Sequence, residues 1–247
     1  MSMASRQLAL DLPHADSRSR DDFLPGLANE AALALIESWP DWPSRAVALV
    51  GPAGSGKSHL AAIFAEASGA KVIPAAALDI AAVPGLLASG ALVLEDLGEG
   101  GVPEAALFHL LNLVGEQKAG LLITSARLPS TLSETLATAD LASRLRVLPV
   151  VRLGPPDEEL LAAVAVKLFA DRQILPDEAL LAYLLPRVER SIAGLRDVVA
   201  ELDREALARK RPLTRALAAE LLRGRAEASD EAEPAAGEIV LNDLTIG

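Results

Sequence analysis

Three observations in the 247-residue sequence predict an α/β fold, a parallel sheet covered by helices, with a small all-helical domain behind it. Short, nearly continuous apolar runs alternate with stretches long enough for helices. A glycine-rich loop joins the first of these runs to the helix that follows it. After Pro155-Pro156 the strand signals cease and only amphipathic helical patterns continue.

The elements follow in order. Residues 1–21 are polar and read as a flexible arm, interrupted by one apolar patch, Gln7-Leu8-Ala9-Leu10-Asp11-Leu12. From Asp22 the pattern becomes helical: Leu27, Ala31, Leu35 and Ile36 recur at three to four positions, Asn29 is a candidate cap, and Pro40 and Pro43 end the stretch. The apolar runs are Ala46–Val50, Val72–Ala75, Ala91–Leu94, Leu121–Thr124 and Val147–Leu153, and Lys57–Ala67, Ile80–Leu87 and Glu104–Lys118 are the helices between them. Runs without polar alternation are buried on both faces, which requires parallel strands between helical layers. Behind Pro155, the segments Asp157–Gln173, Pro176–Val188, Ile192–Arg209 and Leu213–Arg223 read as four helices punctuated by Pro176, Pro186 and Pro212.

Composition narrows the function classes. A hydrophobic fraction of 51% with 23% charged residues excludes a wholly disordered chain, and with only 3% aromatics the core must be Leu, Ala, Val and Ile. The absence of cysteine excludes disulfides, thiolate metal sites and a cysteine nucleophile. The longest uncharged apolar stretch, Ile80 to Leu94, is broken by Pro84, Gly85 and Gly90 and falls short of the about 20 residues that a membrane span needs. The N-terminus has no apolar signal core before Asp11, so a soluble cytoplasmic protein is expected. A net charge of −11 argues against binding bare nucleic acid by general electrostatics.

Gly51-Pro52-Ala53-Gly54-Ser55-Gly56-Lys57-Ser58 satisfies the pattern G-x-x-x-x-G-K-[ST] at every position. It lies directly after an apolar strand and opens a helix, the context in which backbone amides converge on phosphate oxygens. Lys57 is expected to reach the β and γ phosphates and the Ser58 hydroxyl to bind Mg²⁺. A neighbouring strand must then end in a carboxylate, and Ala91-Leu-Val-Leu-Glu95-Asp96 is the one candidate. Its order, Glu then Asp, inverts the usual one: Glu95 overreaches the metal and Asp96 is short for positioning water. Nucleotide binding is expected, and rapid turnover is not.

At this point the residues resemble the AAA+ module of the bacterial replication initiator DnaA, and more closely the family of its short paralogues, the Hda (HdaA) regulatory inactivators of DnaA. The resemblance rests on the P-loop, the acidic strand, Phe108-x-x-Leu111-Asn112, Leu121-Leu-Ile-Thr124-Ser125-Ala126-Arg127-Leu-Pro129, and Asp140-Leu-Ala-Ser143-Arg144-Leu, and covers roughly Asp22 to Leu222. It implies a five-stranded P-loop domain over residues 22–154, a helical lid over 155–225 and, beyond it, an acidic tail over 226–247 that is read as disordered. It places Thr124 and Ser125 at the first sensor position, near the γ-phosphate or the attacking water, although a buried Thr-Ser pair bonded to backbone fits the same residues. It makes Arg144 the arginine finger that reaches nucleotide held by a neighbouring subunit. The second-sensor arginine of the family falls at Ala193, and Arg196, one turn on, is the candidate substitute. Gln7, Leu8, Leu10 and Leu12 resemble the peptide by which this family docks on the β subunit sliding clamp of DNA polymerase III.

The resemblance therefore implies a negative regulator of replication initiation. Such a protein holds ADP or ATP with Mg²⁺, has weak or no ATPase activity of its own, binds the clamp, and stimulates hydrolysis by DnaA. The alternative is an autonomous AAA+ ATPase that loads helicase or remodels DNA. The initiator continues into a DNA-binding domain where this sequence has an acidic tail, and the basic stretch Arg204–Arg215 is balanced by acids, so sequence-specific DNA binding is not expected. Homo-oligomerisation is left open.

Overall fold

A computed structural model describes residues 18–232. The clamp-like peptide Gln7–Leu12 and residues 233–247 of the tail lie outside the described residues. Two compact units divide between Leu160 and Leu161.

In the first unit, α1 (Glu30–Glu37) buries Ala32, Leu33 and Ile36 and is followed by β1 (Ala46–Val50), which is buried at every position. Asn29 precedes α1 but does not bond forward into it. Its buried side chain accepts from the Gly26 amide at 2.9 Å and donates to the Leu24 carbonyl at 3.1 Å, closing the turn before the helix. The chain continues through α2 (Lys57–Ser68), β2 (Lys71–Pro74), the short α3 (Val83–Leu86), β3 (Ala91–Glu95), α4 (Glu104–Gln117) and β4 (Gly120–Ser125). It then forms α5 (Pro129–Ser133), α6 (Ala139–Val147) and β5 (Val150–Arg152).

The sheet is parallel throughout, in the order β2-β3-β4-β1-β5. Its alternating side chains feed two cores. Ala46, Ala48 and Val50 of β1 pack with Leu107, Leu110, Leu141 and Leu145 of α4 and α6 on one face. Leu49 packs on the other face with Leu33, Ile36, Leu60 and Phe64 of α1 and α2. Trp42 stacks on Phe64 with centroids 4.6 Å apart and donates its indole N–H to the Leu35 carbonyl at 2.7 Å, which closes that second face.

Three local expectations are corrected. The apolar run Val147–Leu153 is not one strand: Pro149 divides it, Val147 ends α6 with 79% of its surface exposed, and only Val150–Arg152 pairs with β1. The expected helix Ile80–Leu87 shrinks to the four residues of α3, with Pro84 and Gly85 inside it. β2 is not buried on both faces, because it is an edge strand and Val72 is 43% exposed.

The second unit is helical, with α7 (Glu158–Ala170) leading into it, then α8 (Glu178–Leu184), α9 (Ile192–Arg209) and α10 (Arg215–Ala232). Its core contains Phe169, Leu180, Leu184, Leu195, Val199, Leu202 and Ala218. Asp177 caps α8 by accepting from the Leu180 amide at 2.6 Å, and Ser191 caps α9 by accepting from the Gly194 amide at 2.9 Å, each satisfying a first-turn donor. α10 runs on to Ala232, so the boundary expected after residue 225 falls inside a helix and the segment from 226 begins helical.

Candidate functional site

All five strands run the same way, so the C-terminal ends of β1, β3 and β4 meet at one edge of the sheet. There Val50 is in register with Ser125, and Leu94 with Ile123. An open α/β sheet binds ligands at this edge.

The glycine-rich loop leaves β1 at that edge. Gly54 (φ 70°) and Gly56 (φ 99°) adopt left-handed backbone, which turns the chain back into α2 without the cost that a side chain would incur. Gly51 is fixed by close approach: a Cβ there would stand 2.8 Å from the Leu153 carbonyl oxygen and 2.9 Å from Ser55 Oγ. The amides of Gly54, Gly56, Lys57 and Ser58 donate to no other described group. They form the set of donors that an anion at a helix N-terminus would take up.

Lys57 Nζ donates to the carbonyls of Gly51 and Pro52, both at 2.9 Å. Burial pushes this ammonium below its ordinary value of 10.5, and the carboxylates of Asp96, Glu99 and Glu95, in that order, pull it back up. Ser55 Oγ and Glu95 Oε1 are both buried without a hydrogen-bond partner. Orphaned polar atoms on a glycine-rich loop and at a facing strand end are costly unless a ligand satisfies them. These residues fit a nucleotide phosphate with its cation. Among the described residues no group of three or more His, Asp or Glu side chains is arranged to hold a metal alone. A Mg²⁺ held by phosphates, Ser58 and the strand-end acid does not need one.

Thr124 and Ser125, expected at a sensor position, are fully buried and bonded to backbone. Thr124 Oγ1 accepts from the Asp96 amide at 3.0 Å, and Ser125 Oγ donates to the Leu97 carbonyl at 2.8 Å. Together they tie the chain past β3 to the end of β4. Asp96 itself has φ 57°, so the backbone reverses at the second acid of the pair.

Arg144 is exposed on α6. Its guanidinium lies over the Phe108 ring of α4, 5.1 Å from the centroid, and it makes no ion pair with any described residue. Arg196 is half-buried on α9 of the second unit, one turn after Ala193.

Several residues of this end of the sheet escaped the sequence reading. Glu99 is one of the carboxylates that pull the Lys57 ammonium back up, although it lies beyond the strand end, past the left-handed residue Asp96. Arg127 donates to the Gly98 carbonyl at 3.1 Å and so pins the loop that carries Glu99. Phe23 packs edge-on against His59 of α2, centroids 5.1 Å apart, and lies 3.6 Å from where a Cβ on Gly56 would stand. An aromatic residue seven positions ahead of α1 gave no signal of this.

No protein-family model matches the sequence, and no curated protein matches it. Solved structures do. Domain III of the Thermotoga maritima replication initiation protein DnaA is similar with a TM-score of 0.67 and 22% identity, over 84% of this chain and 96% of that one. DnaA from Aquifex aeolicus bound to AMPPCP gives 0.60 and 18%, over 77% and 68% of the two chains. The Thermotoga maritima RuvB Holliday junction branch migration motor gives 0.65 and 16%, over 84% and 72%. Among the described residues no helix is long and apolar enough to cross a membrane. Five parallel strands between helices, with the glycine-rich loop after the first, are the fold that this chain shares with DnaA domain III and RuvB.

Proposed function

We propose that the chain is a nucleotide-bound regulator of replication initiation that presents Arg144 to ATP held by DnaA and so accelerates its hydrolysis. The observation that carries this reading is the state of Arg144: a solvent-exposed guanidinium, laid across Phe108 and without an ionic partner among the described residues. A cation left uncompensated on a surface helix of a chain of net charge −11 suits a partner's phosphoryl group, where it would neutralise developing charge.

In this reading the chain's own nucleotide, ADP or ATP, is a structural ligand. The loop amides and Lys57 hold its phosphates, with Ser58 and Glu95 serving Mg²⁺, and Arg196 stands in for the arginine missing at Ala193. The inverted Glu95-Asp96 pair, with Asp96 in a left-handed turn, supports binding over turnover. Gln7, Leu8, Leu10 and Leu12 tether the protein to the sliding clamp in the cytoplasm, which confines the stimulation to active replication.

The test is DnaA ATP hydrolysis with wild type and Arg144→Ala. Stimulation is expected to fall to the unstimulated rate, with nucleotide binding and the unfolding midpoint of the variant unchanged. Full stimulation by the variant overturns the reading. The likeness to a branch migration motor favours a second reading, an autonomous ATPase, for which strong steady-state hydrolysis by the purified chain with single-stranded DNA would decide.

A further inference from the structure

Two residues one turn apart on α4 grip α6 at two places. Near its start, the Glu104 carboxylate accepts from the Ala137 amide at 3.0 Å and the Thr138 amide at 2.8 Å, immediately ahead of the first residue of α6. These bonds hold the Glu104 carboxyl below the usual carboxylate range, the contact with the Thr138 side chain first among the causes. An anion at a helix N-terminus is also favoured by the helix dipole. Toward the other end, the Phe108 ring carries the Arg144 guanidinium at 5.1 Å. Phe108 is itself packed against the core that contains Leu107, Leu110, Leu141 and Leu145, so the ring is fixed from behind. Leu141 and Leu145 point α6 into that core, which leaves Arg144 on its flank beside α4.

We propose that Glu104 and Phe108 form a mount that sets the direction of Arg144, with Phe108 its positioning residue. This rests on the finger reading above. A free arginine side chain loses much rotamer entropy when it is immobilised in a partner's site. A guanidinium already laid on a fixed aromatic face has lost part of that freedom beforehand. The ring quadrupole is what holds it, so an aliphatic side chain of similar bulk will not replace it. Glu104 fixes the start of α6 and with it the point from which Arg144 extends.

The test uses the full chain and DnaA. Phe108→Leu is expected to lower stimulated hydrolysis at saturation by about two- to five-fold, the effect of losing one exposed cation–π contact. The concentration for half-stimulation should not move. Phe108→Tyr, which keeps the ring, restores the rate, and Phe108→Leu placed on Arg144→Ala changes nothing further. Glu104→Gln, which weakens the grip on Ala137 and Thr138, lowers the rate in the same direction. A Phe108→Leu chain that stimulates as well as wild type or better, beside an inactive Arg144→Ala, removes the mount and leaves the finger standing. An Arg144→Ala chain with full activity removes the finger. The free protein then decides the mount by itself. The Arg144 Nε–H resonance is expected to be shifted by the ring current in wild type and Phe108→Tyr and to return to its ordinary position in Phe108→Leu. A resonance unshifted in wild type overturns the mount.

Discussion

Thr124 Oγ1 accepts the backbone N–H of Asp96 at 3.0 Å, and this contact sits under the left-handed residue that turns the chain away from β3. Ser125 closes the same junction through the Leu97 carbonyl. The direction of the Glu95-Asp96 pair is therefore set from the neighbouring strand as well as from its own.

Removing that hydroxyl tests the dependence. Thr124→Val keeps the shape of a fully buried side chain and leaves the Asp96 amide without its acceptor. A loss of about 1–3 kcal/mol in unfolding free energy is expected from urea titration, the cost of one unsatisfied donor. Nucleotide affinity should weaken with it, and Thr124→Ser should preserve both. A Thr124→Val chain as stable as wild type would show that the junction does not depend on the bond.

Lys57 gives a pH dependence with a definite sign. Its folded pKa is lowered from 10.5, with burial the largest cause, so between the lowered value and 10.5 the unfolded chain binds the extra proton. Stability of the nucleotide-free protein therefore rises with pH across that window, and the penalty for burying the ammonium stands in full below it. Urea midpoints of wild type should gain on those of Lys57→Met as the pH is raised toward 10.5. A difference that stays constant with pH contradicts the assignment.

Glu95 connects the site to its cation. Glu95→Gln preserves length and removes the charge of the carboxylate whose Oε1 is buried without a hydrogen-bond partner. Titration of ATP with Mg²⁺ and with a chelator should show a strong cation dependence in wild type. In the variant that dependence should fall by about ten- to a hundred-fold, the usual cost of losing a carboxylate that orients ligands on a metal. Equal dependence in both proteins would place the cation elsewhere.

Much of this arrangement was legible in the sequence. Ala46–Val50 reads as a strand because no polar residue interrupts it and the glycine-rich loop fixes where it must end. The loop itself was complete in its pattern and correctly set between strand and helix. Pattern reading lost its grip where one apolar run serves two elements, as at Val147 and Val150 on either side of Pro149. It also missed α5 and α6, which are short and bury one leucine, Leu132, and two, Leu141 and Leu145. Side-chain roles that depend on a backbone reversal were invisible. Nothing in Glu95-Asp96-Leu97-Gly98-Glu99 announces that the last acid is among the carboxylates that favour the charged form of Lys57. The pairing of Phe108 with Arg144 was equally hidden, since each belonged to a separate stretch of sequence and only the packing of α4 on α6 unites them.

The outermost strands carry one more consequence. β2 ends at Pro74, which has no amide hydrogen to donate, and begins with the charged Lys71; β5 is three residues long and follows directly on Pro149. Short, proline-flanked borders of this kind resist intermolecular strand addition. Neighbouring molecules that associate with this unit are steered away from its sheet margins and onto helical surfaces, the part of the molecule from which Arg144 projects.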